Sequence, residues 1–270
     1  FLIKGLRDEN LGVRATAAVV VGKANLRNLS AALRPLLKDS SDFVRASAIF
    51  GLAKCGEDVD RSPLASLLLS DPSVRVRSQV AFLLGELGDK SALGLLHEAA
   101  RISMPRAGTA EMRLLQLQLA EAMVKLGEDD QIATIRAALY PSRPEDLEAT
   151  ALAVQIIGQV KDRGSIDELI YLSARNDEQG HKMPAEVRLG VAAALARMGL
   201  KEGGFIADEY AANTFPPIRA QVAFVYGEIG RPESLAKLEE FMADPDPMVR
   251  VAAAAGVLKC TAAAGMKLAG

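Results

Sequence analysis

One phrase returns along the whole chain: a short polar turn, then Val-Arg-x-x-Ala-Ala-x-x-Leu, then Gly. With its Arg as anchor, clear copies stand at Arg14, Arg45, Arg77, Arg188, Arg219 and Arg250. Aligning by C-terminal ends adds two weaker copies, with Gln116 and Thr150 at the anchor position. The intervals are then 31, 32, 39, 34, 38, 31 and 31 residues. A period of this size means one helical hairpin per repeat, because a lone hairpin cannot bury its apolar face and stacks on copies of itself. Residues 79–88, QVAFLLGELG, and 221–230, QVAFVYGEIG, are the most alike of all the copies.

The inner helix of each hairpin sorts its residues by angle, at 100° per residue from the anchor. Offsets +3, +4, +7 and +11 share one side and hold Ala17, Ala18 and Val21 in the first copy and Val80, Ala81 and Leu84 in the third. This is the predicted buried stripe, and its small residues permit close helix approach. Gly56, Gly88, Gly127, Gly199 and Gly230 close the inner helices as left-handed C-caps. Asp or Asn in the turns, as in Asp71-Pro72 and Asp244-Pro245, caps the helix that follows. The outer helices are expected around Leu29–Lys38, Leu64–Leu69, Ala92–Ala100, Ile132–Leu139, Ile166–Ser173 and Leu235–Met242, with a kink at Pro35.

These residues carry a resemblance. The Asp-Pro turn, Val-Arg, Ala-Ala, Leu-Gly and closing Gly, cleanest at 71–88 and 244–258, resemble the HEAT repeat, in particular the short bacterial type found also in phycobiliprotein lyase subunits. The resemblance implies an all-α, right-handed α-α superhelix of about eight helical hairpins. Its inner helices would line a concave surface for another macromolecule. The expected organisation is a single solenoid over residues 1–270, a piece of a longer chain. The fourth and fifth repeats depart from the pattern by lacking the anchor Arg.

Charge and composition narrow the function classes. The formal net charge is −2 and is evenly spread, whereas a nucleic-acid surface needs basic charge to dominate a whole face. There is no Trp to serve as a base-stacking platform of the kind seen in helical-repeat DNA glycosylases. No apolar run approaches the ~20 residues a membrane span needs. Cys55 and Cys260 lie six repeats apart and read as core thiols, which favours a reducing, cytoplasmic setting. His97 and His181 fall in different repeats. His97-Glu98 resembles one of the His-Glu pairs of iron-binding HEAT hydroxylases, but such sites take several pairs and this chain has one. Gly203-Gly204 reads as a turn between hairpins, without the Lys and strand-to-helix context of a phosphate loop. The expectation is a non-enzymatic scaffold with no cofactor, monomeric, binding a protein or peptide on the inner-helix face. A subunit of a bilin lyase is the alternative.

The exposed stripe of the inner helices supplies the site candidates. Offset +5 reads Val19, Phe50, Phe82, Glu121, Gln155, Ala193, Phe224, Ala255, and offset +9 reads Lys23, Lys54, Glu86, Lys125, Gln159, Arg197, Glu228, Lys259. Large rings on a solvated stripe read either as packing between adjacent inner helices or as the apolar centre of a binding patch. The candidate patch is Phe50, Phe82 and Phe224 with the polar rim Lys54, Glu86, Gln79, Gln221 and Glu228. The long connections Arg101–Ala110, Tyr140–Glu145, Arg175–Pro184 and Ala211–Pro217 each lead from an outer to an inner helix and form a second candidate edge.

Overall fold

The computed structural model describes residues 1–176 and 180–263. Among the described residues the regular structure is helical, with no strand beyond an isolated antiparallel bridge between Asn176 and Lys182, so the all-α expectation holds. Residues 177–179, inside the predicted loop 175–184, lie outside the described residues.

The chain divides into two compact units, residues 1–134 and 135–270. The first contains α1 (Leu2–Gly5), α2 (Leu11–Lys23), α3 (Ser30–Leu33), α4 (Asp42–Lys54), α5 (Ser62–Ser70), α6 (Val74–Leu87), α7 (Leu93–Arg101) and α8 (Thr109–Lys125). Helix α9 (Ile132–Ala137) straddles the boundary. The second contains α10 (Leu147–Val160), α11 (Ile166–Ala174), α12 (Ala185–Arg197), α13 (Gly204–Tyr210), α14 (Pro216–Ile229), α15 (Pro232–Phe241) and α16 (Pro247–Ala263). Inner helices are the even-numbered ones. At Pro35 the outer segment passes from α3 into 3-10 geometry over Arg34–Lys38, as expected where a ring removes a backbone donor. Gly203-Gly204 falls at the connection between hairpins, as expected: Lys201–Gly203 is a 3-10 turn between α12 and α13, and Gly204 is the first residue of α13.

The anchor Arg ties the turn before its helix. It is the fourth residue of α2, α4, α6, α12, α14 and α16. In five of these its guanidinium reaches back to a turn carbonyl: Arg14 to Asp8, Arg45 to Asp39, Arg77 to Asp71, Arg219 to Asn213 and Arg250 to Asp244, at 2.6–2.8 Å. Each acceptor lies six residues upstream, and its side-chain oxygen in turn receives the backbone N–H two residues on, in Asn10, Ser41, Ser73, Phe215 and Asp246. The turn is therefore tied from both sides. Arg14 also forks onto the carboxylate of Asp39 in the next repeat at 2.8 and 3.1 Å, and Arg219 onto Asp244 at 2.8 and 2.9 Å. Such bidentate pairs fix geometry between hairpins. Arg188, behind a longer loop, bonds Ser173 O at 3.1 Å and the Tyr210 hydroxyl at 2.7 Å.

The two repeats without the Arg solve the turn differently. Thr150 is buried and its hydroxyl donates to Ala138 O at 2.8 Å. Helix α8 begins a turn early and runs 17 residues, so Gln116 sits mid-helix and exposed.

The C-cap glycines take φ of +60° to +102°, as predicted; in the first and fifth repeats Asn25 (φ 49°) and Lys161 (φ 56°) occupy the left-handed position instead. A second set of glycines sets helix spacing. A Cβ on Gly85 would lie 2.8 Å from Ala122 Cα, one on Gly158 2.7 Å from Ala194 Cα, and one on Gly227 2.7 Å from Gly256 Cα. In each case offset +8 of an odd repeat meets offset +6 of the following even one, and Gly22 against Gly51 repeats the contact at 2.9 Å. Inner helices are thus drawn together in pairs: α2 with α4, α6 with α8, α10 with α12, α14 with α16.

Candidate functional site

Offset +9 of the inner helices forms a charged ladder in each unit. In the first unit Glu86 on α6 is the hub. It pairs with Lys23 of α2 at 2.8 Å and Lys125 of α8 at 2.6 Å, and its backbone carbonyl accepts from Lys54 of α4 at 3.2 Å. Lys125 also meets Glu121 at 2.5 Å. The ring of Phe82, one turn before Glu86, is half-buried, with the Lys23 and Lys125 ammonium groups 5.5 and 5.1 Å from its centroid. Burial alone would raise the Glu86 carboxyl, but the bonds from Lys125 and Lys23 outweigh it and hold the group below the usual carboxylate range. Burial likewise works against the Lys125 charge, and Glu121 and Glu86 overcome it, raising the ammonium above its ordinary value.

The second unit repeats the ladder with one difference. Glu228 on α14 is buried between Arg197 of α12, at 2.9 Å, and Lys259 of α16. Arg197 lies 5.2 Å from the centroid of Phe224, the one such cation contact this ring makes among the described residues, and Phe224 is 44% exposed. Offset +9 in the first repeat of this unit is Gln159, where the first unit has Lys23. The uncovered ring borders an open cleft of about 510 Å³ between α10, α12 and α14. Its lining combines the small residues Gly190, Ala193 and Ala194 with the polar side chains of Gln155, Gln221 and Arg197. Gln221 is held across the cleft edge by a 2.9 Å bond to Glu186 O.

The candidate patch is therefore only partly brought together. Phe50 is fully buried, so its expected place on the open stripe is corrected. The cause is in the neighbouring helix: Gly22 has no side chain, and the Phe50 ring fills that space, 2.9 Å from where a Cβ would stand. Phe50 and Phe82 consequently do not form one exposed pair. Gln79 bonds the buried Ser47 hydroxyl at 3.3 Å and serves the junction of α4 with α6. Glu86 and Glu228 face cations of their own chain. Phe224 and Lys54 remain exposed. Lys23, Lys125, Arg197 and Lys259 complete the ladders, and their signal was the alternation of charge along offset +9.

The other groups are dispersed. His97 Nε2 lies 2.9 Å from Glu128 of the next repeat, and His181 is exposed in its loop. Cys55 and Cys260 are buried free thiols, each with Sγ near a backbone carbonyl of the preceding inner helix, and burial pushes both thiols up. Among the described residues no three His, Cys, Asp or Glu side chains stand close enough to hold a metal ion. No helix among them is long and apolar enough to cross a membrane.

Comparison with known proteins follows the repeat. A family model described as HEAT repeats matches residues 1–72. Deoxyhypusine hydroxylase-B of Oryza sativa is 26% identical over 246 residues, covering 83% of this chain and 81% of that protein. Among solved structures, human deoxyhypusine hydroxylase in complex with glycerol aligns at 18% identity and a TM-score of 0.44, covering 97% and 95% of the two chains. The complex of CpcE and CpcF of phycocyanin lyase from Nostoc aligns at 20% identity and a TM-score of 0.45, covering 96% and 93%. The expectation of a chain without enzymatic activity is thereby overturned, since a relative spanning most of its length is by name a hydroxylase. The HEAT resemblance read from the turn, anchor and closing glycine stands, and residues 1–72 match that family directly.

Proposed function

We propose that the chain binds a protein or peptide segment on the inner-helix face of its second unit, in the cleft bordered by Phe224 and Arg197. The observation that carries this reading is the contrast between two equivalent rings. Phe82 has two lysine ammonium groups near its ring, whereas Phe224 has one cation near it and lines an open cleft. Aromatic and Arg side chains are the groups most enriched at binding hot spots, because they combine large contact area with directional polar contacts. Preorganisation also supports it. Arg197 is fixed by Glu228, and Glu228 by Lys259, so little side-chain freedom is lost on binding. A cleft of about 510 Å³ holds one or two side chains of an inserted segment.

The test is selection of peptides from a displayed random library on the wild-type chain, followed by affinity measurement by fluorescence anisotropy. Phe224→Ala should weaken the selected binders at least about tenfold, roughly 1.4 kcal/mol, while the far-UV circular dichroism spectrum stays unchanged. Binders indifferent to Phe224→Ala and Arg197→Ala, or a selection that returns none, refute the assignment.

A further inference from the structure

We infer that the segment this cleft receives is extended and dipolar: one of its carboxylate side chains meets Arg197, and a basic side chain about five residues away meets Glu186. The inference rests on the reading of the cleft as a peptide site and names the chemistry of what enters it. Of the residues lining the cleft, Arg197 is the one cation and Glu186 the one carboxylate. Both belong to α12, where they stand 11 positions apart. At 1.5 Å per residue this separates them by about 16 Å along the helix axis.

Neither charge is used up within the chain. Arg197 donates to Glu228 Oε1 from Nε at 3.0 Å and meets the same oxygen with Nη2 at 2.9 Å, while Nη1 has no partner among the described residues. One edge of the guanidinium is therefore fixed, and the edge formed by Nη1 and Nη2 is available to the two oxygens of a second carboxylate, the geometry in which Arg binds such groups best. Glu186, partly buried in the first turn of α12, makes no ion pair among the described residues; the bond from Gln221 goes to its backbone carbonyl.

The space between the two charges suits an extended chain. At offsets +2 and +5, α10 carries Leu152 and Gln155 and α14 carries Gln221 and Phe224, whereas α12 between them carries Gly190 and Ala193. The flanking helices thus bear long side chains where α12 bears nothing larger than a methyl, and the open volume follows α12 from one charge to the other. An extended chain advances about 3.3 Å per residue, so roughly five residues span what a helix would need three turns to cross. Gln155 gives a second reason. It is exposed and without a hydrogen bond among the described residues, and its amide matches the paired donor and acceptor of an extended backbone, groups that a helix satisfies internally.

Selection of displayed random peptides on the full chain tests the assignment. Recovered binders should be enriched in Asp or Glu with Lys or Arg about four to six residues away. Changing the acidic residue of a synthetic binder to its amide should weaken binding at least about tenfold on the wild-type chain, and far less on Arg197→Gln. The wild-type arm leaves the protein itself unaltered, so it stands even if Arg197→Gln fails to fold. Glu186→Arg should exchange the preference and return peptides with a second acidic residue in place of the basic one. Binders that lose affinity with Phe224→Ala yet carry no such charge pair, tolerate the amide, or keep their preference on Glu186→Arg overturn this inference and leave the peptide site standing. Binders indifferent to Phe224→Ala, or none at all, overturn both.

Discussion

The pairing of inner helices through glycine makes one substitution change sign with position. At Gly85, an added Cβ would stand 2.8 Å from Ala122 Cα and 3.1 Å from Ala122 Cβ. Carbon atoms prefer about 3.5–4.0 Å, and the nearer atom belongs to a backbone that cannot rotate away. Relief requires α6 and α8 to separate by several tenths of an ångström along a packed contact, and overpacking of this kind costs about 1–3 kcal/mol. Replacing a helical Gly with Ala returns about 0.5–1 kcal/mol of backbone entropy. Gly85→Ala should therefore lose about 1–2 kcal/mol net. Gly94, in the first turn of α7, has nothing within 4 Å of the same added atom. Gly94→Ala should gain about 0.5 kcal/mol. Urea unfolding followed at 222 nm gives both numbers, read as midpoint shifts at a common slope. Midpoints that move in the same direction, or a Gly85→Ala chain as stable as wild type, would show that the close approach of α6 to α8 does not set the packing. Gly158→Ala and Gly227→Ala should follow Gly85→Ala, because each meets backbone at 2.7 Å.

The fold was legible wherever a residue acts within its own hairpin. The anchor Arg, the Asx turns and the closing Gly are local devices, so their spacing located the inner helices to within a few residues. Even the kink at Pro35 follows from one ring and one missing N–H. What the sequence hid was contact between hairpins. The period-two pairing depends on Gly22, Gly85, Gly158 and Gly227 meeting a small residue from the next helix, and a lone Gly at offset +8 looks like any other helical glycine. Phe50 was misplaced for the same reason: its own helix puts it at the angle of the open stripe, and a vacancy at Gly22, 28 positions away, takes the ring inward. The site was half visible. The letters Lys, Lys, Glu, Lys and Gln, Arg, Glu, Lys at offset +9 contain both ladders, yet only the structure shows that Lys23 and Lys125 both reach Glu86 and leave Phe82 covered while Phe224 stays open.

Three further outcomes follow from particular contacts. Lys161 holds the left-handed C-cap position of α10 at φ 56°, a region that costs a side chain about 1 kcal/mol, so Lys161→Gly should raise the unfolding midpoint by roughly that amount. An unchanged or lower midpoint would mean that the surrounding contacts of Lys161 outweigh its strain. Acid should weaken the second unit through Asp162 and Asp244, whose carboxyls are held below the usual range, chiefly by hydrogen bonds from Arg136 and Arg219. A depressed folded-state value means stability that is complete above the ordinary carboxylate range, about pH 4, and is lost as pH falls through and below it. Asp162→Asn should therefore be less stable at neutral pH and show a shallower decline between about pH 5 and pH 2, and an equal decline would remove Asp162 from the acid response. The two phenylalanines of adjacent inner helices should part company. Phe50 is fully enclosed and fills the space above Gly22, so Phe50→Ala opens a cavity between α2 and α4 and should cost about 3–5 kcal/mol. Phe82 packs partly buried against the core and has Lys23 and Lys125 near its ring, contacts worth about 0.5–1 kcal/mol each at a half-exposed site. Phe82→Ala should lose roughly half as much, and raising the salt concentration should narrow its gap to wild type because the lysine contacts are screened. Equal losses for the two substitutions would place both rings in the same environment and undo the distinction between core ring and ladder ring.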